Sequence, residues 1–101
     1  MSSDLYLKAK FERFRGTFYP GNGKVEFEGM IFNSASRAIQ VLRELSDDDE
    51  IKTNFMYKGL RGFELGDGRV ITVNGEGHVR TFACRFTARM VINNLKKKGK
   101  L

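Results

Sequence analysis

Apolar and polar residues alternate near the start of the chain, with Leu5, Leu7, Ala9 and Phe11 set against Tyr6, Lys8, Lys10 and Glu12. A period of two predicts a half-buried strand. A short strand is expected around Thr17–Tyr19, ending at Pro20, which cannot donate to a ladder. Further strands are expected at Lys24–Glu28, with Val25 and Phe27 on one face, and at Met30–Phe32 after a turn at Gly29. The period then changes. Ala35, Ala38, Ile39, Leu42 and Leu45 recur at helical spacing, and Asn33 or Ser34 can cap the helix start. The helix should stop near Leu45, because Ser46-Asp47-Asp48-Asp49-Glu50 would add negative charge at the negative end of its dipole.

The pattern then repeats. Ile51, Thr53, Phe55 and Tyr57 face one way and Lys52, Asn54, Met56 and Lys58 the other. Strands follow at Arg61–Leu65 and Arg69–Val73, then a glycine-rich loop at Asn74–Gly77 and a strand at His78–Cys84. In that strand Phe82, Cys84 and Phe86 are read as inward. A last helix from about Thr87 to Lys98 turns Ala88, Val91, Ile92 and Leu95 inward, and Gly99 ends it. The cations of Lys96–Lys98 complement its dipole.

The echo extends to residue identity. Arg15-Gly16-Thr17-Phe18-Tyr19-Pro20-Gly21-Asn22-Gly23-Lys24-Val25 aligns with Arg61-Gly62-Phe63-Glu64-Leu65-Gly66-Asp67-Gly68-Arg69-Val70 once Thr17 is dropped. Asn22-Gly23 and Asp67-Gly68 each suit a two-residue hairpin turn with positive φ. Phe32, Ala38, Val41, Leu42 and Leu45 match Phe82, Ala88, Val91, Ile92 and Leu95. The fold expected is therefore α+β: two tandem ββββα repeats, 5–45 and 51–98, joined by an acidic linker at 46–50. It would have antiparallel sheets and two helices within a single domain, 1–101. A copy of this size buries too little surface to stand alone, so the two should pack together about a pseudo-twofold axis.

Composition narrows the function. Nine Phe and three Tyr can build a core, and no apolar run is long enough to span a membrane. The N-terminus lacks the pattern of a secretory signal. A single cysteine, Cys84, gives no internal disulfide, so a cytoplasmic setting is expected. The net charge is +6 and unevenly spread. Residues 1–45 hold seven Lys/Arg against five Asp/Glu, residues 46–50 hold four acids, and residues 51–101 hold eleven Lys/Arg against three acids.

Catalytic and metal chemistries find no residue set. His78 and Cys84 lie about 20 Å apart on an extended strand, too far to act as a pair. Cys84, aligned with Ser34, is read as a buried small residue where the helix begins. One His and one Cys do not make a zinc site, and Asp47–Glu50 lacks the spacing of a calcium loop. The glycine pairs lie between strands rather than between strand and helix, so they are not phosphate loops. No cofactor is expected, and the protein reads as non-enzymatic.

Positive charge beside aromatic rings points to nucleic acid, single-stranded or duplex. Arg13, Arg15, Lys24, Lys58, Arg61 and Arg69 recur near the same turns in both copies. Arg80, Arg85, Arg89, Lys96, Lys97 and Lys98 add to them. Arg61, Arg69 and the cations that follow should dominate the phosphate contacts. Tyr6, facing away from the apolar side of its strand, and Tyr19, at a turn, are the candidate stacking rings. The alternative is a protein-interaction module, an inhibitor or adaptor of phage or mobile-element type. It would meet a basic partner through its acidic residues or pair through an edge strand. Edge pairing with a second copy would give a homodimer.

Overall fold

The computed structural model describes residues 9–19, 23–33 and 35–100. The order is α1 (residues 9–13), β1 (Thr17–Phe18), β2 (Val25–Phe27), β3 (Met30–Phe32), α2 (Ala35–Glu44), β4 (Ile51–Tyr57), β5 (Leu60–Leu65), β6 (Val70–Val73), β7 (Val79–Phe82) and α3 (Arg85–Lys97). The fold is α+β. Two antiparallel meanders, β1-β2-β3 and β4-β5-β6-β7, each run in sequence order.

The first element departs from expectation. Residues 9–13 are helical, so the described residues contain three helices rather than two, and the part of the expected first strand from residue 9 onward is helix; its residues 5–8 lie outside the described residues. Lys10 and Phe11 within it and Phe14 directly after it are buried, a spacing of one and three that suits a helical turn. The Lys10 Nζ donates to the Leu45 carbonyl just past the end of α2. A buried ammonium thereby satisfies a carbonyl that the helix leaves open.

Phe11, Phe14, Val25, Phe27 and Phe32 meet Ala38, Val41, Leu42 and Leu45 of α2, and all of them press on Phe63, Leu65, Ile71 and Val73 of the four-stranded sheet. Phe27 meets Phe63 edge-on with centroids 5.2 Å apart. Burial of each such ring contributes about 1.5–3 kcal/mol. Successive residues of β6 point to opposite faces, so Ile71 enters this cluster while Val70 enters another. The second cluster joins Val70, Leu60 and Phe82 to Ala88 and Ile92 of α3. Every residue of β6 is therefore buried. Helices α2 and α3 cover opposite faces of the four-stranded sheet. This placement is not the equivalent pair expected about a pseudo-twofold axis.

The turns refine the expectations. Glu28-Gly29 and Lys58-Gly59 make the two-residue hairpins, with φ of 50° and 84°, and 51° and 83°. Asp67-Gly68 belongs instead to a three-residue loop. There Leu65 N–H donates to Arg69 O, Gly68 N–H donates to Leu65 O, and only Gly68 takes positive φ. In the first half the matching bond shifts by one residue, from Tyr19 N–H to Lys24 O, because position 20 is a proline without an N–H. A bulge near Lys52 puts Ile51 on the α2 face, opposite Phe55 and Tyr57, so these residues do not share one face.

The repeated Arg-Gly pairs have a steric cause. A Cβ on Gly62 would overlap the ring of Phe55, its cross-strand partner, and one on Gly16 would overlap the ring of Phe11. Each ring lies flat on a bare backbone. Gly62→Ala should therefore lower stability by about 1–3 kcal/mol, read from chemical denaturation. At Glu28 burial raises the carboxyl pKa, partly offset by Arg15. The folded value lies above the unfolded one near 4.5, so the folded state binds the proton more tightly and ionisation costs stability as pH rises through that window. Glu28→Asn also relieves a positive φ. It should stabilise by about 0.5–1 kcal/mol, with the gain larger at neutral pH than below pH 4.5.

Candidate nucleic-acid interface

Antiparallel pairing brings the Lys58-Gly59 turn and the Asn74–Gly77 loop to the same end of the four-stranded sheet. Helix α3 runs back to that end. Its C-terminal turn therefore lies beside both connections, and together they enclose an open cleft of about 630 Å³. Lys58 comes from the turn, His78 and Arg80 from β7 and its approach, and Lys96 and Lys100 from the end of α3. Among the lining residues Glu76 is the only acid. The loop is held by Asn74, whose Oδ1 accepts from the N–H groups of Glu76 and His78. The ion pairs of the described residues lie elsewhere, at Arg69 with Asp49 and Asp67 and at Arg85 with Glu64.

Cations continue along α3. Over residues 85–100 there are six Lys/Arg and no acid. The Arg85 guanidinium lies 4.4 Å from the Phe55 ring centroid and that of Arg89 lies 6.0 Å from the Tyr57 centroid. Tyr57 donates its hydroxyl hydrogen to Asn93 Oδ1 at 2.9 Å, pinning β4 to the middle of the helix. These contacts hold two guanidiniums over rings at the β4 edge.

The opposite end of the sheet is acidic. Asp47–Glu50 precede β4, and Asp67 occupies the β5–β6 connection. Gly66 N–H donates to Glu50 O, and Ser46 N–H to Asp49 Oδ2. β4 spans the distance between the two ends, about 20 Å.

The structure sorts the predicted residues into groups. Lys58, Arg80 and Lys96 converge in the cleft. Arg85 and Arg89 lie along the same helix, and Lys97 and Lys98 are exposed at its end. Arg69 is held between Asp49 and Asp67 at the acidic end. Arg61 faces the α2 side, its guanidinium 4.7 Å from the Phe32 ring centroid. Arg13 lies over Phe14 and donates to Asp49 O. Arg15, at φ 60°, sits beside Glu28. Lys24 and Tyr19 are exposed in the first half, away from α3. Tyr6 lies outside the described residues.

Sequence reasoning missed Lys100 and His78 as cleft residues, and Phe86 and Met90 as exposed apolar positions. Phe86 was expected inward but is 72% exposed, and Met90 is 51% exposed. One turn apart and off the 88/92/95 stripe, they were separable by helical phase. Cys84, expected buried, is exposed as the residue before α3. Hydrogen bonding with Thr87 and backbone N–H groups of the first turn hold its thiol pKa below the usual value. Among the described residues no group of three or more His, Cys, Asp or Glu could hold a metal ion, and no helix is long and apolar enough to cross a membrane.

At the acidic end, the Arg69 backbone N–H and then its guanidinium lower the Asp67 pKa below 3.8. The lowered folded value means that this stabilisation is present above pH 3.8 and is lost as pH falls through the folded pKa. Asp67→Asn should flatten the acid limb of a stability-versus-pH curve below pH 4, measured by urea midpoints. Comparison with protein-family models, curated proteins and solved structures finds no match for this chain.

Proposed function

We propose that this chain binds nucleic acid through the α3 side of its four-stranded sheet. Lys58, Arg80, Lys96 and Lys100 contact phosphates in the cleft, and Arg85, Arg89, Lys97 and Lys98 extend the track. One observation carries the reading: cations from a hairpin turn, a strand and a helix end rim one cleft, and among the described residues no carboxylate is ion-paired to any of them. Gathering like charges opposes folding, and the half-charge at the helix C-terminus offsets only part of that repulsion. A repeating anion removes the repulsion and releases its counterions on binding.

No catalysis is part of this reading, and a cytoplasmic setting belongs to it. Two features support a tandem origin for the halves. Val25 pairs with Phe32 as Val70 pairs with Phe82, and each Arg-Gly pair receives a phenylalanine ring. On this view the copies share a three-stranded meander followed by a helix, and differ in their first element. The second functional reading, a protein-interaction module, draws on the outer edge of β4, which has no neighbouring strand among the described residues.

Fluorescence anisotropy with labelled DNA and RNA across a salt series tests the proposal. The logarithm of affinity should fall against log salt with a slope near one for each phosphate neutralised. Lys58→Glu with Arg80→Glu should weaken binding by at least about tenfold and flatten the slope. Arg69→Glu, at the far end, should retain binding wherever its melting curve shows it folded. Absence of binding at low salt would overturn the proposal in favour of the protein-interaction reading. Equal weakening by cleft and far-end reversals would remove the cleft from it.

A further inference from the structure

Phe86 has no role in the core and none in the phosphate track. It is the most exposed of the large apolar side chains described, and it stands on the first turn of the helix that carries the track. Resting on the nucleic-acid reading, we infer that Phe86 is a stacking platform for an unpaired base, so that the strand bound along α3 is single.

Helical phase places the parts. Ala88 and Ile92 face the sheet. Phe86, Met90 and Lys97 share the opposite ridge at i, i+4 and i+11. Arg85, Arg89 and Lys96 repeat those intervals along the ridge's flank. The flanking row leads from the ring towards the cleft over about 17 Å, enough for a few nucleotides of extended strand. A base laid on Phe86 would thus have its phosphates beside Arg85 and Arg89 and its continuing backbone directed to Lys96 and Lys58. Stacking on an isolated ring needs an open base face, which a duplex closes on both sides and a single strand offers at each residue.

Other occupants fit less well. A docked helix takes anchors at i, i+3 or i+4, and i+7. After Phe86 and Met90 the ridge turns polar at Asn93, Asn94 and Lys97, so the apolar seam ends after one turn. A second copy docking α3 on α3 would oppose two rows of cations with no acid among residues 85–100.

The test compares an oligo-thymidylate of about ten nucleotides with its duplex of equal length. Phe86→Ala should weaken single-strand binding by about tenfold, while leaving the salt slope, the melting temperature and any duplex affinity unchanged. The chain contains no Trp, so Phe86→Trp places a sole indole reporter on the ridge. Its fluorescence should be quenched by oligo-thymidylate and not by poly-glutamate. Single-strand affinity unchanged in Phe86→Ala, duplex bound more tightly than single strand, or an indole quenched equally by poly-glutamate would each overturn the inference. If the cleft reversals still abolish binding in those cases, the nucleic-acid reading stands without it. If the unmodified chain binds neither strand form at low salt, both fall.

Discussion

The contact of Phe27 with Phe63 is what makes two small sheets into one molecule. Strands of two or three residues cannot form a stable sheet by themselves. Phe27 reaches across to β5 and also meets Phe11, Phe14 and Phe32, with centroids between 6.0 and 6.4 Å apart. The Phe32 ring stacks near Phe63 as well. Helix α2 lies within this cluster and touches both sheets, α1 adds Phe11, and the Lys10 bond to Leu45 O ties the two helices together. Once this face of the larger sheet is closed, its other face is left for α3.

That division explains why α3 can be so basic. It is held by a narrow stripe, Ala88 and Ile92 against Leu60, Val70 and Phe82, with Tyr57 and Asn93 bonded at its middle. The remaining surface carries no packing duty. The cations near the C-terminus have solvent around them and meet the favourable end of the helix dipole, whereas Arg85 is held between the Phe55 ring and Glu64. The rings of Phe55 and Tyr57 serve twice, contributing apolar area beneath α3 and an electron-rich face to Arg85 and Arg89.

The second half was legible because its short runs rich in β-branched and aromatic residues are punctuated by glycine turns. The first element was not. Ala9 and Phe11 continue an alternation that reads as a strand, while the helical signal depends on Lys10 being an inward residue, which its charge conceals until its carbonyl partner is known. The bulge at Lys52 was hidden for a related reason, since one extra residue reverses a face without disturbing the pattern on either side. Arg69 and Arg80 look alike as sequence, yet one is held by Asp49 and Asp67 and the other faces a cleft. The strand order, not local composition, decides between them. Cys84 and Phe86 were misassigned because the strand period was carried past Phe82, where the backbone had already begun to turn into α3.

Acid gathered where β4 begins and base gathered where it ends give the molecule a permanent electric moment running along its strands. Near any extended array of like charges such a body experiences a torque before it experiences contact. In the field of an anionic polymer it rotates so that the Lys58 end leads and the Asp67 end trails, and most encounters therefore start from one heading. Added electrolyte shortens the range over which that rotation can act, so the fraction of well-oriented collisions falls even where the bound state itself is unaltered.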